Sequence, residues 1–356
     1  MDSFRRGLHV RSPLVLVAAA ALLVPALLGI QAFFTSGAWT SVPLGYWLRN
    51  SSDSFVYVSW IVGDARRRPP STPAVYLLGG SAAREALVNG DDLAAEIADL
   101  GGPRVAAYDL GVSNQNFAES LAVADNVPDS PAWVLIGVNL GRFTIDRASS
   151  AQQARGRELL LDSRQVQRFV SEEWGLERYS YTIAPGIFAY VTDHLRRDGA
   201  ALLKGTLKRR PYRLHHYSAA RVRSAAHKRR LVAIWNKRRY PLLRANVGAN
   251  LALLEELLRR CRERGVNAVI VELPINGEIV GDAFDPAIQR YRAPTQTLAR
   301  RYGAAYVDFN DELRIADSSF YDLSHLVEPG RSIWQHALAQ ALVKLMNDGE
   351  NGKGSG

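Results

Sequence analysis

The stretch AVYLLGGS, residues 74–81, decides the fold of this chain. Five apolar residues form a run of strand length, two glycines permit a tight turn, and Ser81 stands before AAREALVNGDDLAAEIADL, residues 82–100, whose alanines and leucines have helical spacing. The pattern predicts a buried strand that leads through a turn into a helix.

The same strand, turn and helix pattern recurs along the chain. Further strands are predicted at 104–111, 132–137, 267–273 and 304–308, and further helices near 117–124, 247–264, 286–302 and 332–346. Strands that alternate with helices predict a parallel sheet covered on both faces. The sequence therefore predicts one three-layer α/β domain around a five-stranded parallel sheet.

This domain is expected to cover residues 74–346, with an insertion at about 146–246 and a flexible tail at 347–356. Residues 35–73 are interpreted as a linker, because they end in the charged, proline-containing stretch DARRRPPSTP at 64–73.

The N-terminus has the pattern of a membrane anchor. Arg5, Arg6 and Arg11 precede 22 residues, 13–34, that carry no charge and are long enough to cross a bilayer as a helix. The positive-inside rule then places residues 1–12 in the cytoplasm and everything after about residue 35 outside it. A cleaved signal peptide is the alternative, with small residues at 36–38, but the apolar run exceeds the 7 to 15 residues of a signal core. We favour a retained single-pass anchor, and either interpretation exports the domain.

Composition describes a chain that can bury a core, with 47% hydrophobic and 22% charged residues. The single cysteine, Cys261, excludes an internal disulfide framework and is interpreted as structural. No phosphate-binding loop of the Walker type and no cysteine and histidine spacing typical of zinc is present in the sequence, so we expect neither a metal nor a nucleotide cofactor.

Candidate catalytic groups lie where predicted strands end, at the edge where a parallel sheet carries its chemistry. Ser81 opens a helix and is either a nucleophile or an ordinary N-cap. Asp322 and His325 lie three residues apart before the last helix, and a carboxylate beside an imidazole can fix its tautomer and stabilise its protonated form. The other six histidines have no comparable sequence context.

Four segments in chain order, LLGGSAARE, YDLGVSNQNF, VLIGVNLGRF and FYDLSHLVEPG, resemble the sequence blocks of the SGNH (GDSL-like) hydrolase family. The resemblance implies a flavodoxin-like three-layer fold, Ser81 as nucleophile, Asp322 and His325 as the rest of the triad, and Asn139 as a side-chain donor to the oxyanion.

The second block implies a backbone donor at Asn114, where the family has glycine; Gly111 is the alternative if the alignment shifts. Two further positions depart from the family pattern: GGS stands for GDS in the first block, and GVNL for G-x-N-D in the third.

The chemistry implied is double displacement on an ester through an acyl-serine intermediate. Water as acceptor makes the protein an esterase, and a sugar or polyol hydroxyl makes it an acyltransferase. The expected substrate is an acylated cell-envelope glycan or glycolipid, with a membrane-bound acyl-delivery protein as a possible partner. The alternative is a catalytically silent protein of the same fold that binds or assembles an anionic envelope polymer.

The insertion carries the basic excess of the chain. Residues 151–240 contain 20 Lys plus Arg and 7 Asp plus Glu, interleaved with aromatic residues at Trp174, Tyr179, Tyr181, Tyr190, Tyr212, Tyr217 and Trp235. As a lid over the strand ends, this segment could bind an anionic glycan or anionic lipid headgroups. Nucleic acid is disfavoured for an outward-facing domain, and a solvated helical excursion is the plain alternative.

Overall fold

A computed structural model describes residues 13–129, 131–153, 159–177 and 183–353. The N-terminal arginines and two of the insertion's aromatic residues lie outside these ranges: Arg5, Arg6, Arg11, Tyr179 and Tyr181.

Five parallel strands form one sheet in the order β2-β1-β3-β4-β5. The strands are β1 (Ala74–Leu78), β2 (Ala106–Asp109), β3 (Ala132–Val138), β4 (Asn267–Glu272) and β5 (Ala305–Val307). The strand order reverses between β1 and β3, and in open α/β sheets the crevice outside the carboxyl ends at such a point is where ligands bind. The predicted five-stranded parallel α/β sheet is confirmed.

Helices cover both faces of the sheet. They are α1 (Pro13–Thr35), α2 (Ser54–Arg67), α3 (Ser81–Arg84), α4 (Gly90–Asp99), α5 (Phe117–Asn126), α6 (Arg147–Gln153), α7 (Arg164–Arg168), α8 (Ala184–Leu203), α9 (Ala225–Arg238), α10 (Tyr240–Glu263), α11 (Gly277–Val280), α12 (Asp285–Tyr302) and α13 (Gly330–Lys353). Alternate strand residues enter two separate cores, as the period of two in a strand requires. Tyr76 packs with Leu121 and Leu254 on one face, whereas Val75 packs with Leu93 and Leu338 on the other.

The single helix expected after Ser81 is instead two helices, α3 and α4, with a break between them. Asn89 begins α4 by accepting a hydrogen bond from the backbone N–H of Asp92. A Cβ at Gly90 would lie 2.2 Å from the carbonyl oxygen of Ala107, so the chain passes against β2 at this point. A continuous helix could not make that close approach.

The segment expected to be a linker, 35–73, is mostly folded onto the core. Helix α2 begins at Asp53, whose side chain caps it, and its Val56 and Val62 are fully buried together with Trp39 from the preceding turn. The proline-containing stretch that suggested a linker ends the helix, and only about its last six residues lie outside regular structure. The apolar stretch FVYVSWIV, residues 55–62, gives the segment its buried face.

Helix α1 is long and apolar enough to cross a membrane. The span Leu14–Thr35 has a mean hydropathy of 2.4, and no residue in its most apolar stretch is buried in the domain. The helix ends on the domain, where Phe34 packs against Trp39 at a ring-centroid distance of 5.3 Å. The turn that follows lies beside Gly63, near the end of α2, and α2 leads to the amino end of β1. The anchor candidate therefore joins the domain near the amino edge of the sheet.

The insertion is helical only in part. Between α8 and α9 the chain runs without helix or strand over residues 206–218, which we name the strap. The strap lies along the turn before α2 and the start of α2: Arg210 N–H donates to the carbonyl of Gly45 at 2.8 Å, and the Tyr212 ring stacks on Tyr57 of α2 with centroids 3.9 Å apart. Its far end reaches the carboxyl edge of the sheet.

Candidate active site

Ser81 lies at the first position of α3, directly after the tight turn that follows β1. The carbonyl oxygen of Gly80 accepts the first hydrogen bonds of that helix, from the N–H groups of Ala83 and Arg84. A Cβ at Gly79 would lie 2.7 Å from Cβ of Ala83, so the turn needs glycine there. The turn leaves the Ser81 backbone N–H without a hydrogen-bond acceptor among the described residues.

Ser81, His325 and Asp322 form one hydrogen-bonded line. Ser81 Oγ lies 2.8 Å from Nε2 of His325, and Nδ1 of the same ring lies 2.8 Å and 2.9 Å from the two carboxylate oxygens of Asp322. The serine and the histidine are 244 positions apart in the chain, so only the fold brings them together.

The environment of Asp322 keeps its carboxylate charged. Burial opposes ionisation, but hydrogen bonds from the His325 ring and from the backbone N–H groups of Ser324 and His325 outweigh it and hold the pKa of Asp322 below its ordinary value. An ionised carboxylate only accepts hydrogen bonds, so Nδ1 of His325 must carry a proton. Nε2 is then a lone-pair acceptor that faces the Ser81 hydroxyl.

Asn139 directly follows β3, on the other side of the switch in strand order. Its Oδ1 accepts a hydrogen bond from the backbone N–H of Arg142 at 3.2 Å and caps the short helical turn Leu140–Thr144. That bond fixes the orientation of the amide, and within the described chain Nδ2 has no acceptor. The NH₂ group is thus available to the cavity that Asn139 lines with Ser81.

Asn114 has a left-handed backbone, with φ of 59°, and lines the same cavity. Asparagine is among the few residues that adopt this conformation readily, so it can replace glycine there. Gly111, the alternative donor, is turned away: its N–H donates to Oδ1 of Asp109 at 2.9 Å, and it is buried outside the cavity lining. Of the two predicted positions, the structure brings Asn114 to Ser81 and not Gly111.

A cavity of about 290 Å³ opens at these side chains. One wall carries Ser81, Asn114, Asn139 and His325, and the opposite wall includes Trp235 and Arg239 from the end of α9 and the start of α10. The insertion therefore contributes to the cavity wall, as a lid over the strand ends would. Of the insertion's aromatic residues, Trp235 lines the cavity and Tyr217 meets the His325 ring edge to face at 5.2 Å.

Sequence analysis does not identify the ionic cluster that holds the strap against the candidate active site. Glu85, fully buried one turn after Ser81, accepts hydrogen bonds from Arg331, from the backbone N–H of Tyr217 and from the ring of His216. Burial opposes ionisation, but the hydrogen bonds from His216 and Tyr217 and the adjacent Arg84 outweigh it and hold the pKa of Glu85 below its ordinary value. A glutamate on the short helix after the serine was the available signal, but its partners lie more than 130 positions away.

A second buried ion pair joins α9 to the loop that carries the aspartate and histidine. Nζ of the fully buried Lys228 lies 2.5 Å from Oδ1 of Asp317 and 2.8 Å from its carbonyl oxygen. Asn276 also donates to Oδ1 of Asp317 and to the carbonyl of Asp322. The insertion thus holds the His325 loop from two sides, through the strap and through α9.

The described residues contain no group of three or more His, Cys, Asp or Glu side chains placed to hold a metal ion. Cys261 is buried in α10, and burial raises the pKa of its thiol to about 12, so it remains a neutral core residue.

Comparison with known proteins assigns no family to this chain. No family model matches the chain, and no curated protein matches it in sequence. Among solved structures, the crystal structure of Axe2, an acetylxylan esterase from Geobacillus stearothermophilus, aligns over 78% of this chain and 94% of its own with a TM-score of 0.38 and 10% identity.

Proposed function

We propose that this chain is a membrane-anchored, outward-facing acyl-ester enzyme in which Ser81 is the nucleophile and His325, supported by Asp322, is the general base. The observation that carries the proposal is the 2.8 Å contact between Ser81 Oγ and Nε2 of His325 at an open cavity. Nucleophile, base and orienting carboxylate are within the hydrogen-bond reach that nucleophilic catalysis requires.

In the first half-reaction, His325 takes the proton of Ser81 as Oγ attacks the carbonyl carbon of the ester. The tetrahedral oxyanion is stabilised by Nδ2 of Asn139 and by the backbone N–H groups of Ser81 and Asn114, three donors that have no other acceptor in the described chain. Donors that are already oriented need no reorganisation when the charge develops. His325 then gives its proton to the leaving alcohol, and the acyl group stays on Ser81.

In the second half-reaction, an acceptor hydroxyl gives its proton to His325 and attacks the acyl-serine. Water yields a free acid, and a sugar or polyol hydroxyl yields a new ester. The proton returns to Ser81 Oγ when the tetrahedral intermediate collapses, so the enzyme ends as it began.

A cell-envelope glycan is the substrate class we propose. Trp235 lines the cavity together with the polar side chains of Ser81 and Asn139, and an aromatic ring near hydrogen-bonding groups suits a sugar ring. Arg239 adds a cation to the same wall, which favours a glycan that carries negative charge. The proposed outward-facing position rests on α1 as an anchor that crosses the membrane and on the arginines at positions 5, 6 and 11 before it, which the positive-inside rule places in the cytoplasm.

The experiment that tests the proposal is labelling of the full chain in detergent with a fluorophosphonate, which reacts with activated serines. Ser81→Ala and His325→Ala should abolish labelling. Ser324→Ala is the matched control, because Ser324 lines the same cavity without contacting the His325 ring nitrogens, and labelling should persist. His227→Ala, an exposed histidine on α9, is the control for loss of an imidazole.

Labelling that requires both Ser81 and His325 would establish a working nucleophile. Folded protein that fails to label, or that labels equally in the Ser81→Ala variant, would instead favour the catalytically silent binding protein. An acceptor assay then separates the two enzyme activities, because acyl transfer to an added glycan must compete with release of free acid.

A further inference from the structure

A second cavity lies far from the proposed active site, where α1 meets α8. This groove measures about 580 Å³ and is lined almost wholly by apolar and aromatic side chains, among them Phe33, Phe34, Trp47, Tyr190, Leu195 and Leu202. Its size is within the range of small-ligand pockets. Nothing in the proposed ester chemistry uses it.

The last turn of α1 indicates where the groove lies relative to the membrane. Phe33 and Phe34 are the final aromatic residues of that helix, and both line the groove. Phe34 packs edge to face on Trp47 at 5.7 Å and on Tyr190 at 5.9 Å. Tryptophan and tyrosine at the end of a membrane-spanning helix typically lie at the level of the lipid headgroups. The groove therefore belongs at the membrane surface.

Helix α8 carries solvent-exposed apolar side chains at and beside the groove. Leu195 and Leu202 line it and are each about half exposed, and Leu203 at the end of the helix is 91% exposed. The adjoining stripe of α8 is buried in the domain through Ile187 and Tyr190. A helix with one face in the domain and leucines on another is suited to lie in the interface plane of a bilayer.

Basic side chains follow these leucines directly. Lys204, Lys208 and Arg209 are exposed, and none of the three pairs with a carboxylate in the part of the chain that the structure describes. Arg210, the next residue, is already committed to Asp198. Unpaired cations at the mouth of an apolar groove match the shape of a phospholipid, with apolar chains below and a phosphate above.

We infer that the groove binds a phospholipid of the outer leaflet, with one acyl chain against Trp47 and Tyr190 and an anionic headgroup at Lys204, Lys208 and Arg209. The inference rests on the proposed anchoring through α1. Bound lipid would seat α8 on the bilayer and fix how the domain sits above the membrane.

The test measures immersion of nitroxide labels in the full chain, reconstituted in nanodiscs of phosphatidylcholine with phosphatidylglycerol. Cys261 is buried, so an introduced cysteine is the accessible thiol among the described residues. Three variants are compared: Val24→Cys within α1, Leu203→Cys beside the groove, and Leu100→Cys, an exposed leucine after α4. Relative accessibility to oxygen and to a water-soluble nickel chelate reports immersion.

The expected result is immersion at positions 24 and 203 and water exposure at position 100. Immersion at 24 with water exposure at 203 would overturn the lipid site and leave the anchor intact. Water exposure at 24 would refute the anchor itself and remove the basis of the inference. Dipolar broadening between labels at 203 would assign the face to a second copy of the chain, and would also overturn the lipid site.

Headgroup choice gives an independent measurement. Native mass spectrometry of the extracted chain should show retained phosphatidylglycerol in preference to phosphatidylcholine. Changing Lys204, Lys208 and Arg209 to glutamate should reduce that preference at least tenfold, since each basic residue near an anionic surface is worth about fivefold. The control makes the same charge change at three exposed basic residues of α9: Arg230, Lys237 and Arg238. Equal loss in both triples would refute a specific headgroup site.

Discussion

Replacing Asp322 with asparagine isolates the role of one carboxylate, because the exchange preserves shape and removes charge. Oδ1 of Asp322 accepts hydrogen bonds from the backbone N–H groups of Ser324 and His325 at 3.0 Å and 3.2 Å. An asparagine oxygen would keep both bonds, which leaves its NH₂ facing Nδ1 of the His325 ring. Two N–H donors cannot pair, so the ring proton is expected to move from Nδ1 to Nε2.

The consequence falls on Ser81, which then faces an N–H instead of a lone pair. Loss of the correct tautomer in a Ser-His-Asp arrangement costs about 10⁴-fold in kcat, equivalent to about 5 kcal/mol of transition-state stabilisation. The thermal midpoint of Asp322→Asn should stay close to that of the parent chain, because the backbone bonds that order the loop are retained.

The assay is the second-order rate constant for fluorophosphonate labelling, with hydrolysis of an activated ester as a parallel measurement. Asp311→Asn, a carboxylate that is exposed on the surface, is the control and should label at the parent rate. A rate for Asp322→Asn within tenfold of the parent, with Ser81→Ala unreactive, would show that the carboxylate does not set the tautomer.

Three further predictions concern stability, each measured by thermal unfolding of the full chain in detergent. Burial raises the pKa of Asp109 from 3.8 to about 7, so the folded state holds the carboxyl proton more tightly than the unfolded state does. The free energy of unfolding should therefore fall by up to about 4 kcal/mol as pH rises through that interval. Asp109→Asn should flatten the dependence of stability on pH, and an unchanged dependence would contradict the prediction. Hydrogen bonds from Arg210 lower the pKa of Asp198 to about 2 despite the opposing effect of burial. The contribution of Asp198 to stability is therefore present above the ordinary pKa of 3.8 and is lost as pH falls towards 2. Asp198→Asn should be less stable than the parent at pH 7 and indistinguishable from it near pH 2. Lys228→Met should cost about 3 kcal/mol because it leaves Asp317 without its cation, and the further change Asp317→Asn should restore at least half of that loss; equal effects of the single and double variants would argue against the ion pair.

The fold was predictable from the sequence because its main features depend on local patterns. Each strand is a short apolar run with a turn signal after it, and the five together specify a parallel sheet through the helices between them. The strand bounds found differ from the predicted ones by at most two residues at an end: Ala132–Val138 was predicted at 132–137, and Ala106–Asp109 at 104–111.

The break at residues 85–89 was missed because the alanines and leucines on either side were interpreted as one helix, although Asn89-Gly90 between them is a turn and N-cap signal. What ends the helix is the close approach of Gly90 to β2, a contact that exists only in the folded chain. The folded segment before β1 was missed for a similar reason: prolines at its end suggested a linker, whereas the burial of Val56 and Val62 depends on partners elsewhere.

In the candidate site, too, some residues could be predicted from the sequence and others could not. Ser81, Asp322 and His325 could be named from the sequence because each stands at an element boundary with a characteristic neighbour, and their catalytic roles remain predictions. The partners that hold them could not be named, because Glu85 meets His216 and Arg331 across more than a hundred positions. Single-chain periodicity carries no information on such pairings.

The attachment of α1 near the amino edge of the sheet has a geometric consequence for the membrane-anchored enzyme that we propose. Ser81 and Asn139 stand at the opposite edge, and β3 between the two edges is seven residues long, which at about 3.3 Å per residue makes a spacer of up to about 23 Å. In an orientation with the strands along the membrane normal, this spacing would hold Ser81 above the ester bonds at the glycerol level of the bilayer. Ser81 would then reach only a thin layer of the cell envelope parallel to the membrane. Polymer chains that pass through this layer are the substrates available to it.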